Sequence, residues 1–193
     1  MDVSKLRKTE YPIDPIFTGR WSPRAFDGKN LDNKTLMSLF EAARWAPSSY
    51  NNQSWRFLYA RTDTPHWKTF LGLLGEFNQA WCKNAGALIV VVSKKTFDHN
   101  GEPSVTHSFD TGAAWMSLAL QAHKMGLITH GMQGFDYGKA RTALKVPEDH
   151  DVEAMVAVGR MGKREDLPAA LQERETPSMR KPLKDIAREG AFW

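Results

Sequence analysis

The feature that most constrains the fold is a valine-rich and almost purely apolar run at residues 87–93. A run of this kind is typical of a strand that is buried on both faces, because a strand with one face in solvent alternates apolar and polar residues. The longest helical pattern follows at residues 107–125, where small and apolar side chains occupy more than one helix face. That breadth indicates burial against more than the helix's own domain, and Gly126 is well placed to end the helix.

Shorter periodic segments predict the remaining elements. Apolar residues recur at helical spacing after Asp32, a plausible N-cap, until Pro47 stops the helix. Pro65 is predicted to begin a helix, and Asp136 to cap another that extends to about residue 144. The helix that begins at Pro65 has one apolar face: Trp67, Phe70, Leu71, Leu74 and Phe77. Strands are predicted at 55–61, 127–129 and 152–158, with a flexible turn at 131–134. The loop at 94–106 is either a lid or an ordinary connection.

Length and charge restrict the class of protein. The 193 residues suit one domain, and no apolar run approaches the ~20 residues that a membrane-spanning helix needs. The N-terminus has no apolar signal-peptide segment, and the lone cysteine, Cys82, cannot form an internal disulfide, which favours the cytoplasm. The net charge of +4 comes from scattered basic residues, whereas nucleic-acid-binding proteins concentrate theirs in a patch. We therefore expect no membrane and no nucleic-acid partner.

A polar loop lies between the helix that Pro47 ends and the strand at 55–61. Its hydroxyl and amide side chains offer several hydrogen-bond donors and acceptors: Ser48, Ser49, Asn51, Asn52 and Gln53. A loop held at both ends by rigid elements suits a flat ligand with a hydrogen-bonding rim. Each of these residues is also an ordinary turn former, so local chemistry alone leaves both interpretations open.

Two arginines flank a hydroxyl group at Arg20, Ser22 and Arg24, with Pro23 fixing the backbone between them. Guanidinium groups so spaced bind phosphate through charge-assisted hydrogen bonds, although solvated surface arginines are the commoner case. The histidines show no His-Glu-x-x-His spacing, and no metal site is predicted. No glycine-rich dinucleotide motif follows a strand.

Four segments, in order along the chain, resemble motifs of the FMN-dependent nitroreductase family. Residues 20–26, Arg-Trp-Ser-Pro-Arg-Ala-Phe, are similar to its Arg-x-Ser-x-Arg/Lys-x-Phe motif. Residues 47–55, Pro-Ser-Ser-Tyr-Asn-Asn-Gln-Ser-Trp, resemble its Pro-Ser-Ser-x-Asn-x-Gln-x-Trp loop. Residues 126–136 resemble its Gly-Leu-Gly-Thr…Gly-Gly-Phe-Asp segment, and residues 177–183 resemble its basic segment near the C-terminus.

The resemblance implies an α+β, nitroreductase-like three-layer fold with a mixed central sheet flanked by helices, in an intertwined homodimer. Residues 1–193 would form a single FMN-binding domain in which 160–193 is a C-terminal extension that wraps the partner subunit. The helix at 107–125 would pack in the dimer core. The implied activity is that of an FMN oxidoreductase that takes hydride from NADH or NADPH. By a ping-pong reaction it would reduce nitroaromatics, quinones or similar small-molecule acceptors.

The resemblance also assigns residues to the flavin. Arg20, Ser22 and Arg24 would hold its phosphate, ribityl and pyrimidine side, while Arg180 and Lys181 would add positive charge at the phosphate. Loop residues of the second subunit would contact the isoalloxazine: Pro47, Ser48, Ser49, Asn51 and Gln53. The N5 edge would face the backbone of three residues: Met132, Gln133 and Gly134. Arg24 is the candidate for stabilising negative charge at N1 and O2, and no acid–base side chain is strictly required.

Other activities on the same fold stay open at this point. They are a reductive dehalogenase, an enoate-type reductase, and a non-enzymatic FMN-binding protein whose ring face is blocked. His130 adjoins the turn expected to approach the flavin, where it either bonds to backbone or donates a proton.

Overall fold

The protein forms one four-stranded sheet with helices on both faces. The computed structural model describes Val3 and residues 6–192. The strands are β1 (Trp55–Arg61), β2 (Ala87–Lys94), β3 (Leu127–Met132) and β4 (His150–Arg160), in the sheet order β1-β2-β4-β3. The helices are α1 (Pro15–Gly19), α2 (Asn33–Arg44), α3 (Trp67–Leu71), α4 (Glu76–Cys82), α5 (His107–Lys124), α6 (Tyr137–Ala143) and α7 (Ala169–Gln172). The predicted α+β class and three-layer arrangement are confirmed.

The sheet differs from the predicted mixed sheet in one respect. Every strand pair within the described residues is antiparallel: β1 with β2, β2 with β4, and β3 with β4. The strands that are neighbours in the sheet are joined by long connections, which return the chain so that each new strand enters in the opposite direction. β1 and β3 are the two edges.

The central position of β2 explains its composition. Its side chains alternate between two cores, with Leu88, Val90 and Val92 in one and Ala87, Ile89 and Val91 in the other. Helices α2 and α5 cover the face that contains Ile89, while α3, α4 and α6 contribute to the core on the opposite face. The prediction of a strand buried on both faces is therefore confirmed.

Helix ends follow the predicted signals at three places. The side chain of Asp32 accepts a hydrogen bond from the backbone N–H of Thr35 at 2.7 Å, and α2 begins directly after it. Asp136 caps α6 in the same way, through the N–H of Lys139 at 2.8 Å. Gly126 stops α5 with a φ of 72°, a conformation that costs glycine nothing.

The helix predicted to begin at Pro65 is wrong in extent. The chain turns once after Thr64, α3 begins at Trp67, and a break at residues 72–75 separates it from α4. The break is tied to the segment after β3, because the N–H of Gly75 donates to the carbonyl of Gly134 at 3.1 Å. Phe77 consequently leaves the predicted apolar face and is 56% exposed.

One more segment differs from its predicted bounds. β3 continues to Met132, so Gly131 belongs to the strand rather than to the turn. Within the segment at 160–193, Leu167, Leu171 and Glu175 are buried in their own chain. Only the part after Glu175 is mostly exposed. Across the described residues, no helix is both long enough and apolar enough to cross a bilayer.

Candidate functional site

Arg20 lies where α1 ends, beside the predicted hydroxyl. Its Nη1 atom donates to Ser22 Oγ at 3.3 Å and to the carbonyl of Trp21 at 3.4 Å. Burial and the charge of Arg180 lower the pKa of the Arg20 guanidinium below its usual value. Arg7 joins the two parts of the chain, because it bonds to the carbonyls of Arg20 and Ser178. The structure therefore brings Arg20 and Ser22 near Arg180, although 160 residues separate the two arginines in sequence.

Arg7 joins this group, and the motifs did not indicate it. Its Nη1 atom donates to the carbonyls of Thr18 at 3.0 Å and Arg20 at 2.7 Å, and its Nε atom donates to that of Ser178 at 3.1 Å. Burial, followed by the charges of Arg180 and Arg20, lowers the pKa of Arg7. Lys181 lines the same cavity of about 350 Å³ as Arg7 and Arg180. An isolated arginine outside any motif gives no sequence signal.

Arg24 is held through its own backbone by a buried carboxylate. Glu175 Oε1 accepts hydrogen bonds from the N–H groups of Arg24 at 2.6 Å and Ala25 at 2.9 Å. Glu175 Oε2 lies 3.7 Å from Arg24 Nη1 and accepts no hydrogen bond from any described residue. Glu175 thus fixes the backbone of the arginine motif and offsets part of the Arg24 charge.

His130 is a hydrogen-bond partner of the same segment. Its Nδ1 atom lies 3.1 Å from the carbonyl oxygen of Pro23, and since a carbonyl can only accept, Nδ1 carries the proton. Burial and the nearby charge of Arg24 lower the pKa of His130 to about 4. At neutral pH the ring is uncharged, so of the two roles left open the geometry favours the bond to backbone.

The turn after β3 presents unused backbone donors. Gln133 and Gly134 are exposed, and their N–H groups donate to no acceptor within the part of the chain that the structure describes. The carbonyl of Gly134 is held by the Asn78 side chain at 3.0 Å. Met132 differs, because its side chain is buried with its sulfur 3.4 Å from Cys82 Sγ. Its side chain is therefore not available to a ligand.

Hydrogen bonds fix the backbone of the polar loop, whereas two of its side chains have no described partner. The N–H of Ser49 donates to the buried carboxylate of Asp110 at 3.0 Å, and the N–H of Gln53 donates to Ser48 Oγ at 3.0 Å. Among the described residues, the side chains of Ser49 and Asn51 make no hydrogen bond. The loop has left-handed backbone at three non-glycine residues, Tyr50, Asn51 and Gln53. Such strain is typical of functional loops. Pro47 ends the preceding turn and is exposed.

Within one chain the polar loop lies far from Arg20, Ser22 and Arg180, which we call the arginine group. The loop leads into β1, whereas Gln133 and Gly134 follow β3, and these opposite edges are three strand spacings, about 14 Å, apart. The loop is tied to Asp110 near the start of α5. Gly19, next to Arg20, lies against His123 of the same helix. Asp110 and His123 are about 20 Å apart along the axis of α5. The structure does not bring the two predicted halves together in a single copy.

Comparison with known proteins gives a consistent result. The Nitroreductase family model matches residues 17–65 and 65–160. Protein DrgA from Synechocystis sp. is 30% identical over 186 residues, which cover 81% of this chain and 86% of DrgA.

Solved structures agree with that match. A structure described as an oxidoreductase containing FMN is 49% identical, with a TM-score of 0.93 and coverage of 97% of this chain and 96% of the other. A protein from Desulfovibrio desulfuricans, solved in complex with FMN, is 25% identical, with a TM-score of 0.71 and coverage of 95% and 99%.

Proposed function

Since this chain belongs to the nitroreductase family, we propose that it is a cytoplasmic FMN-dependent oxidoreductase that works as a homodimer. It transfers electrons from NADH or NADPH to a nitroaromatic, a quinone or a similar small acceptor, and the two substrates use one site in turn. The observation that carries the proposal is the assembly of Arg20, Ser22 and Arg180 in one place. No described carboxylate forms an ion pair with either arginine.

The residues present fit FMN. Guanidinium groups that pair with no described carboxylate suit a phosphate monoester, which carries close to two negative charges at neutral pH. The two free N–H groups at Gln133 and Gly134 suit an acceptor nitrogen at a ring edge. A side chain at residue 134 would meet Asn78 Nδ2 at 2.7 Å, so glycine at this position lets Asn78 donate to the carbonyl of the turn.

When bound, FMN supplies the hydride-accepting and hydride-donating centre. The chain supplies binding, orientation and charge. Arg20, Ser22, Arg180 and Lys181 hold the phosphate and ribityl end, and Arg24 faces the pyrimidine side, where a cation stabilises negative charge on N1 and O2. No side chain has to exchange a proton, which agrees with the neutral, backbone-bonded state of His130.

The separation of the two halves supports a dimer. A ligand that touches the loop residues (Pro47, Ser48, Ser49, Asn51 and Gln53) and also the arginine group needs the loop of a second copy. Exposed apolar side chains near the loop and along α5 are available for burial between copies: Tyr50 at 83%, Val105 at 92% and Phe109 at 79% exposed. The segment at 160–193, of which the part after Glu175 is mostly exposed, would wrap the partner subunit, and all 193 residues would act as one domain.

The visible absorption spectrum of the purified protein, before and after NAD(P)H is added without oxygen, tests this function. Flavin bands that bleach support an oxidoreductase, and re-oxidation by a quinone or a nitroaromatic then identifies the acceptor class. A protein that stays colourless after incubation with FMN contradicts the proposal. Flavin bands that persist with both nicotinamide nucleotides indicate a binding protein instead.

A further inference from the structure

Arg7 lies outside the segment that the family model matches, yet it joins three parts of the candidate site. It bonds to the carbonyl of Thr18, to the carbonyl of Arg20 and, in the exposed C-terminal segment, to the carbonyl of Ser178. These bonds use the Nε hydrogen and both Nη1 hydrogens of the guanidinium group. The Nη2 atom, with two further hydrogens, donates to no residue that the structure describes.

Among the described residues, the charge around Arg7 is mostly positive. Arg180 and Arg20 both lower the pKa of Arg7, and Arg180 also lowers that of Arg20, so the three groups repel one another. Glu10 lines the cavity beside Arg7, but its Oε1 atom accepts from the N–H of Leu183 at 2.9 Å, and it pairs with no described cation. Gathering like charges costs free energy unless an anion offsets it.

We propose that Arg7 supplies a third guanidinium group, with Arg20 and Arg180, to the phosphate of FMN and thereby makes the site select FMN over riboflavin. The inference rests on the proposed function and deepens it. The backbone bonds pre-order the Arg7 side chain, so little rotamer entropy is lost when the anion binds. The Nη2 atom, which bonds to no described residue, would donate to the phosphate, and the riboflavin part of FMN would receive no hydrogen bond from Arg7.

The test compares FMN and riboflavin affinities in the cofactor-free protein, by quenching of flavin fluorescence. Replacing Arg7 by glutamine (Arg7→Gln) is expected to weaken FMN binding about tenfold or more and to leave riboflavin binding unchanged. Arg7→Lys keeps the charge but not the planar fork, so we expect a several-fold loss for FMN alone.

Arg141→Gln is the matched control. Arg141 also donates to three backbone carbonyls, those of Val146, Pro147 and His150, but it lies in α6 and its Nη2 atom is 3.6 Å from the carboxylate of Asp151. The ratio of its FMN affinity to its riboflavin affinity should equal that of the wild type. Thermal unfolding without flavin checks the fold of each variant, and Arg7→Lys carries the test if Arg7→Gln does not fold.

The outcomes separate the two proposals. A wild-type protein that binds neither flavin contradicts the proposed function itself. A wild-type protein that binds FMN, with an FMN-to-riboflavin ratio that neither Arg7 variant changes, overturns the role of Arg7 alone. Equal weakening of both flavins also overturns it, because Arg7 would then only position the chain around Arg20.

Discussion

Glu175 Oε1 accepts the backbone N–H of Arg24 at 2.6 Å, although 151 residues separate the two in sequence. The same oxygen accepts the N–H of Ala25, and the carboxylate is buried. A segment near the C-terminus therefore fixes the backbone of the arginine motif near the N-terminus. The bonded carboxylate links the stability of the fold to the geometry of the proposed flavin site.

Glu175→Ala is expected to destabilise the protein by about 3 kcal/mol, because two backbone N–H groups and Arg24 lose a buried partner. The affinity of the Glu175→Ala variant for FMN should fall as well. Urea unfolding and flavin titration measure the two effects. Glu173→Ala, two residues away and exposed, should change the unfolding free energy by no more than about 0.5 kcal/mol. Equal stability of the two variants would contradict the anchoring role of Glu175.

His130 should make stability depend on pH in a defined window. Its folded pKa of about 4 lies below the ordinary value of 6.5, so the unfolded state binds more protons between these values. Stability contributed by neutral His130 is present above pH 6.5 and is lost as the pH falls towards 4, by up to about 3 kcal/mol.

His130→Asn removes this titration and keeps an N–H near the Pro23 carbonyl. We expect the unfolding free energy of the variant to fall less steeply than that of the wild type between pH 6.5 and 4. Urea unfolding of both cofactor-free proteins across this range measures the difference. The exposed His66→Asn serves as the control. Parallel curves for wild type and His130→Asn would show that His130 does not titrate in this window.

Asn52 should couple the polar loop to the loop at 94–106. Its amide donates to Ser54 Oγ at 3.0 Å and to the carbonyl of Thr96 at 3.1 Å, and its Oδ1 accepts from the N–H of Asp98 at 2.9 Å. Asn52→Ala is expected to cost about 2 kcal/mol and to speed hydrogen exchange at Asp98.

The exposed Asn100 offers a control for this coupling, since within the described residues its side chain accepts only the nearby N–H of Glu102. Asn100→Ala should leave exchange at Asp98 unchanged. Unchanged exchange in Asn52→Ala as well would mean that the 94–106 loop is ordered independently of the polar loop.

Local patterns predicted the elements whose determinants are themselves local. The apolar run gave β2, and Asp32, Asp136 and Gly126 marked helix ends, because caps and periodicity act over a few residues. The break between α3 and α4 was missed. It depends on bonds to Gly134 and Asp136, about 60 residues away in sequence.

The same distinction applies to the candidate site. Arg20, Ser22 and the polar loop stand in short motifs, and their residue types suggested their chemistry. Arg7 and Glu175 stand in no motif, and each bonds to a backbone group far along the chain, Arg7 to that of Ser178 and Glu175 to that of Arg24. Only folding brings them to the arginine group, so no local pattern could have predicted them.

Subunit complementation tests the division of the site between two copies. One variant removes the phosphate half, Arg20→Gln with Arg180→Gln. The other removes the loop amides, Asn51→Gly with Gln53→Gly, where glycine keeps the left-handed backbone without strain. Each double variant alone is expected to bind FMN at least about tenfold more weakly than the wild type, since each loses two polar contacts in both sites of a symmetric dimer.

Co-expression of the two double variants should restore binding. Random pairing makes half of the dimers mixed, and each mixed dimer has one intact site and one doubly defective site, so about a quarter of wild-type sites should recover. Flavin titration of the mixture, and of the mixed dimer isolated with two affinity tags, measures this fraction. Each variant co-expressed with itself is the control. A mixed dimer that shows only the average of the two variants would mean that both halves of the site belong to the same copy.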